Sequence, residues 1–207
     1  YKIDENMKWL EQALDKVGFS PMFDPIDGGF FSQARNTSFT EPLYEKQLSE
    51  NIQAAVLFSF AYKYYGHKRY KEIAEKTIEF IEKRLKSPEG GYMTSISLTK
   101  MSMESSYYKY SMNEIMDAFP DTYIYIAHSL GMDEKQADDH QQIISNKPQT
   151  GKLSADEIAL LKQIREKKRG ETITDKRVIT AYNCLYATSL CLISHNLHNS
   201  GSNYIVK

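Results

Sequence analysis

Tryptophan and cysteine are scarce: the 207 residues hold one Trp and two Cys. Cys184 and Cys191 stand seven positions apart in a segment of helical periodicity, so about 10 Å separates them along an axis rising about 1.5 Å per residue. A disulfide needs Cα atoms within about 7 Å. Reduced, partly buried thiols and a cytoplasmic setting are therefore expected. Charge of one sign is lacking as well. With 26 Lys+Arg against 27 Asp+Glu the formal net charge is −1, which removes the general argument for nucleic acid or an anionic membrane as partner. No run approaches the roughly 20 apolar residues of a spanning helix; Ala54 to Tyr62 is the longest and lies between Glu50 and Lys63. Tyr1 is not an initiator Met and no basic or apolar leader follows it, so a secretory precursor is not expected, whereas a piece of a longer protein is.

Motifs of known chemistry are missing too. There is no P-loop, no G-x-G-x-x-G, no G-x-S-x-G, no CxxC and no H-E-x-x-H, so no cofactor is expected. His195 and His198 have i,i+3 spacing but no acidic companion, and no metal is expected. Asp138-Asp139-His140 reads as solvated loop, and the run Arg165 to Arg169 as the basic end of a helix.

Tyrosine, in contrast, is abundant: 15 residues beside 9 Phe. Buried tyrosines need partners for their hydroxyls, so this many point to a concave or contacting surface. Apolar residues recur mostly at helical spacing. Ile3, Met7, Leu10, Leu14 and Val17 form a stripe ended by Gly18 and Pro21. From about Tyr44 to Tyr65 the chain is apolar on most faces, which predicts an inner, buried helix stopping at Gly66. Tyr70 to Leu85 reads as an outer amphipathic helix, closed by Ser87-Pro88-Glu89-Gly90-Gly91. Alternation from Tyr92 to Leu98 and a β-prone run from Ser106 to Tyr110 predict a small β-hairpin. Ser111 and Glu114 form a capping box opening a helix to about Gly131, and Ser154 with Glu157 another opening a helix to about Lys168. Asp133 to Lys152 is polar and loop-like, and a last helix is predicted from about Thr174 to Leu197.

Gly28-Gly29-Phe30-Phe31 returns 62 positions later as Gly90-Gly91-Tyr92-Met93, each copy after a helix. A loop plus a helix pair repeated at this length suggests helical hairpins side by side, buried helices inside and amphipathic ones outside. The expected fold is all-α: residues 1–207 form one domain of antiparallel helical hairpins, part of an (α/α) toroid, with a small β-hairpin insertion. Glu45 and Lys46, at the predicted start of a buried helix, are either an acid/base pair or a helix-dipole complement. Asp175 is likewise either a catalytic acid or a first-turn dipole complement, with Lys46 and Arg177 as the charge partners of the two acids, and Asn183, inside an apolar helix, needs partners that a neighbouring loop can supply.

At these segments the chain resembles the YyaL-type family, whose members join a thioredoxin-like domain to a six-hairpin (α/α) toroid similar to those of glycosidases and N-acylglucosamine 2-epimerases. The family's D-H-L-G-G-G-F-H-R-Y is matched by Asp24 to Gln33, its P-H-F-E-K-M-L by Pro42 to Leu48, and its S-P-E-G-G-F-Y by Ser87 to Met93. E-G-K-F-Y-V-W resembles Glu104 to Tyr110, R-E-K-R resembles Arg165 to Lys168, and D-x-K-V-L-T-x-W-N resembles Asp175 to Asn183. Phe31 and Ser32 stand where the family has His and Arg, Leu43 where it has His, and Ser97 and Thr99 where it has acids. Groups suited to proton transfer are thus replaced by neutral ones, while Glu45, Lys46, Asp175 and Asn183 remain. Six hairpins of about 60 residues need roughly 360, so this chain holds about three, without the thioredoxin-like part.

What the resemblance implies is a toroid domain acting as a non-catalytic binding or scaffold module, or as a pure assembly module. Its alternative is a carbohydrate-active domain with Glu45 and Asp175 as acid and base. Any cleft is expected where the loops at the inner-helix starts converge, with Gly28, Gly29, Tyr44, Lys46, Arg177, Tyr182 and Asn183 around a sugar-like ligand. Open helix flanks predict a partner, either the rest of a parent protein or a second copy.

Overall fold

The computed structural model of the chain describes residues 2–98, 106–136, 139–145, 152–168 and 172–197. Among them are seven α-helices joined by strands of two to four residues. Helix α1 (Lys2–Gly18) is amphipathic: Leu14 is buried while Trp9, on the other side, is 69% exposed. Strands β1 (Gln33–Ala34) and β2 (Pro42–Leu43) form a small ribbon, and β3 (Glu45–Gln47) leads into α2 (Leu48–Tyr65). Gly66, in the left-handed conformation, donates its N–H to Tyr62 and turns the chain into α3 (Lys68–Phe80), which continues as a π-helical turn at Ile81–Leu85. Phe58 of α2 meets Tyr70 of α3 at one end of this hairpin, and Leu48 and Ile52 share a cluster with Phe80 at the other. Helix α1 runs alongside, against the direction of α2: Tyr65 Oη donates to Met7 O, and Gly18 sits on Phe58 and Ile73.

Strand β4 (Ser95–Leu98) and β5 (Lys109–Tyr110) precede α4 (Met112–Ala118) and α5 (Tyr123–Ser129). These helices, with β6 (Gln142–Ile143) and α6 (Ala155–Glu166), enclose a cluster of Ile26, Tyr110, Ile115, Ile126, Leu130 and Leu161. Both predicted capping boxes form, at Ser111/Glu114 and Ser154/Glu157. After β7 (Thr172–Asp175), α7 (Thr180–Leu197) packs on α2 in the same direction: Leu48 and Ile52 cluster with Tyr186, Ala55 with Ile193, and Ser59 Oγ accepts from Asn196 Nδ2 at 3.0 Å. Inner helices α2 and α7 run one way and outer helices α1 and α3 the other. That is an arc of an (α/α) toroid, as the apolar periodicity predicts. No helix among the described residues is long and apolar enough to cross a membrane.

Five details depart from the expectations. The inner helix begins at Leu48, because residues 45–47 pair with β4 as a strand. The last helix begins at Thr180, because Thr172 to Asp175 pair with the other edge of β4. With both its edges taken, β4 makes no hairpin with Lys109-Tyr110, which pairs with Gln142-Ile143 instead. The helix opened by Ser111 ends at Ala118, two residues before Pro120, and α5 starts afresh at Tyr123. The thiols of Cys184 and Cys191 are exposed rather than partly buried. Thr99, Glu104, Asp138 and His198 lie outside the described residues.

Candidate functional site

The loop from Phe23 to Phe30 closes on itself before it meets anything else. Asp24 N–H donates to Gly29 O, Gly28 N–H to Asp24 O, and Asp24 Oδ1 accepts from Ile26 N–H at 3.0 Å. The second carboxylate oxygen faces two cations: Lys46 Nζ at 2.7 Å and Arg165 Nη1 at 2.8 Å. Lys46 also donates to Gly28 O at 2.7 Å, and Arg165 to Asp27 Oδ2 at 3.1 Å. Arg84 reaches Asp27 from the π-helical turn and donates to Tyr107 Oη at 3.0 Å. Lys162 Nζ lies 3.7 Å from Asp27 Oδ1 and Glu166 3.7 Å from Arg84, so three carboxylates face four cations, and aromatic faces surround the buried ones. Lys46 Nζ lies 4.7 Å from the Phe80 centroid and 5.0 Å from that of Phe31, and the Arg165 guanidinium lies 5.2 Å from Tyr108.

Lys46 is 0% exposed and Arg165 1%. Burial alone would raise the Asp24 pKa, but Arg165 and Lys46 beside it hold the carboxyl far below its ordinary range. Burial pulls the Lys46 ammonium down despite Asp24, whereas Asp24 holds the Arg165 guanidinium well above its usual value against burial. Tyr44 stacks on Tyr108 with centroids 5.3 Å apart, and burial raises both phenols. Tyr44 Oη and Arg165 Nε are buried without a hydrogen-bond partner, and both residues line a recess of about 10 Å³. That volume suits about one water and excludes a sugar ring.

The three-stranded sheet β3-β4-β7 adjoins this cluster. Residues directly opposite share a face, so Lys46, Ile96 and Thr174 lie on one side, and Glu45, Ser97, Ile173, Gln47, Ser95 and Asp175 on the other. Glu45 is level with Ile173, two residues before Asp175, and β4 runs between them. Two interstrand spacings and two residues of rise place their Cα atoms roughly 12 Å apart. Asp175 is engaged: Arg177 Nε donates to both its oxygens at 3.0 Å, and Arg177 N–H donates to Oδ1 at 3.1 Å. These bonds lower the Asp175 pKa.

Asn183 bridges to the second Gly-Gly loop. Its Oδ1 accepts from Tyr92 N–H at 2.7 Å, and its Nδ2 donates to Tyr92 O at 3.1 Å and Ile179 O at 3.0 Å. Asn51 of α2 does the same to the first loop: Oδ1 accepts from Phe30 N–H at 2.6 Å, and Nδ2 donates to Phe30 O at 3.0 Å and Gln47 O at 2.7 Å. The close approach demands glycine in both copies. A Cβ on Gly29 or Gly91 would stand 2.9 Å from the Oδ1 of its asparagine, and both have φ near +75° (77° and 72°). The 62-residue echo is therefore a structural repeat.

The segments expected to converge do meet at the starts of α2 and α7, but their side chains part. Gly28, Tyr44 and Lys46 join Asp24 and Arg165; Asp175 joins Arg177; Asn183 joins Gly91; Tyr182 enters the cluster around Leu48 and Ile52; Glu45 lies on the opposite sheet face from Lys46. Neither residue of the pair Glu45-Lys46 opens a helix, so the dipole role does not apply to them. Arg165, in the last turn of α6 as expected of a basic helix end, is buried at the centre of the cluster. Its signal was its place four residues after Leu161, on the apolar side of α6. Asn51 carried a similar signal, one amide among Leu48, Ile52 and Ala55. A groove of about 600 Å³ lies elsewhere, on the outer side of α3, among Glu72, Lys76, Glu79 and Lys152. Among the described residues no group of three or more His, Cys, Asp or Glu could hold a metal.

No family model matches the chain, and no curated protein sequence matches it. It is similar to a solved structure titled "Crystal structure of D-mannose isomerase", with a TM-score of 0.41 and 17% identity over 93% of this chain and 47% of that one. The chain thus spans about half the length of the structure it matches.

Proposed function

We propose that this chain is a diverged (α/α) toroid domain of the YyaL type, acting as a non-catalytic binding or scaffold module. One observation carries the reading. Lys46, the cation kept in β3 just before the inner helix, is fully buried and committed to Asp24 and Gly28, so it holds a loop. The neutral residues at Phe31, Ser32 and Leu43 agree with this. A cytoplasmic setting belongs to the same reading and rests on the free thiols of Cys184 and Cys191. The test is an aldose–ketose interconversion and glycoside hydrolysis panel, D-mannose included, on the protein and its Glu45→Gln variant. No turnover above background is expected from either; turnover that depends on Glu45 would overturn the proposal.

A second reading, a carbohydrate-active domain using Glu45 and Asp175 as acid and base, is favoured by their common sheet face. It requires Asp175 to leave Arg177 and a sugar-like ligand to lie across Ser95 and Ser97. Activity in the same panel that is lost in both Glu45→Gln and Asp175→Asn would select it.

A further inference from the structure

Two unmatched hydrogen-bond donors border one small recess. Arg165 Nε is buried and meets no protein acceptor, and Tyr44 Oη is buried without a protein partner as well. Both residues line the recess of about 10 Å³, together with Asp24, Phe31, Tyr108 and Ile144. A guanidinium donates and never accepts, and it keeps its charge. Burial raises the Tyr44 phenol well above its ordinary value against the pull of the Arg165 charge, so Oη keeps a proton to donate. Both groups are held in place. Tyr44 stacks on Tyr108 and meets Phe31 at 82°, while Arg165 Nη1 is bound to Asp24 and Asp27. Asp24, the carboxylate on the wall, is already saturated. Its Oδ1 accepts from Ile26 and Asp27 N–H, and its Oδ2 from Lys46 and Arg165, about as many bonds as a carboxylate takes.

We propose that this recess is a halide site, which binds a single chloride ion between Arg165 Nε–H and Tyr44 Oη–H. Charge favours an anion. Lys46, Arg84, Lys162 and Arg165 face Asp24, Asp27 and Glu166, which leaves one positive charge in excess for a monovalent ion to neutralise. Hydrogen bonding favours an occupant that only accepts. Both donors are then satisfied, whereas a water would bring two O–H donors of its own to a carboxylate already full. Size favours a single atom, because a volume suited to about one water shuts out sulfate, phosphate and organic acids. Phe31 and Ile144 supply no hydration to what lies between them, so weakly hydrated chloride enters at less cost than fluoride. The consequence is structural: the ion steadies the arginine that ties α6 to the Asp24 loop. This goes beyond the proposed function and does not depend on it, since binding is read as stability and not as turnover.

Urea unfolding at constant ionic strength, with sodium methanesulfonate replaced stepwise by sodium chloride, tests it. The midpoint of the native protein is expected to rise with chloride and to level off, as binding to the folded state alone requires, and bromide should act as chloride does. Tyr44→Phe keeps the stacked ring and removes one donor, so its response should need about tenfold more chloride, the worth of one hydrogen bond to a charged group. Chloride NMR supplies a direct readout: the native protein should broaden the chloride line, and added bromide should narrow it again by displacement. Equal midpoints in chloride and in methanesulfonate would overturn the proposal and leave the recess to water. A chloride response that Tyr44→Phe keeps in full would do the same, because the ion would then lie elsewhere. An unbroadened chloride line from the native protein would overturn it without recourse to any variant.

Discussion

The two Gly-Gly loops share a backbone design and differ in everything around it. In the first, Asp24 N–H binds Gly29 O and Asn51 clasps Phe30; in the second, Ser87 N–H binds Gly91 O and Asn183 clasps Tyr92. The position taken by Asp24 in one is Ser87 in the other, and no buried charge follows from it. Asn51 is fully buried and Asn183 only half-buried. The comparison separates two tasks. The glycines and the asparagine amide suffice to dock a loop on the first turn of an inner helix. The ion cluster does something more: through Asp24 and Asp27 it ties α6 and the π-helical turn to the α2 mouth.

If that separation is right, the largest effect should come from Asp24→Ala. It leaves Lys46 without its carboxylate partner in a buried site and strips Arg165 of its shorter one, which should cost about 3–5 kcal/mol. Ser87→Ala, whose hydroxyl accepts only from the exposed Glu89 N–H, should cost under about 1 kcal/mol. Equal losses in urea unfolding would break the comparison. Next come the latches. Asn51→Ala leaves the Phe30 backbone unpaired in the interior and should cost about 3 kcal/mol, while Asn183→Ala, where water reaches the loop, should cost about 1 kcal/mol. Acid sharpens the contrast. Asp24 is depressed in the folded state, so its contribution is complete above the unfolded carboxyl value of about 4 and is lost as pH falls from there toward the folded value. Urea midpoints should therefore decline below about pH 4, and Asp24→Asn should flatten that slope. The smallest effect is expected from Arg177→Ala, since its pair with Asp175 is surface-screened; an unchanged unfolding midpoint would confirm that, and a clear loss would show a structural role.

The helices were legible because apolar spacing and capping chemistry are local. Ser111 with Glu114 and Ser154 with Glu157 mark their helix starts without reference to anything distant. The starts of α2 and α7 were not legible, because residues 45–47 and Thr172 to Asp175 become strands only by pairing with β4, long-range partners that local propensity does not contain. The loop echo was visible, and the bridging role of Asn183 with it. The cluster was half visible. Lys46 and Gly28 were singled out, but Asp24 and Arg165 are 141 positions apart, and a charge on an apolar helix face names no partner by itself.

The one Trp has a practical consequence for every such experiment. Because the Trp9 indole sits in water on the outer face of α1, its emission in the native protein already resembles that of an unfolded chain and will report poorly on loss of the core. The rings of Tyr44, Tyr107, Tyr108 and Tyr110, fixed around buried cations, are the natural chromophores instead. Their near-ultraviolet dichroism should fade when the cluster opens, even while the fluorescence trace stays flat.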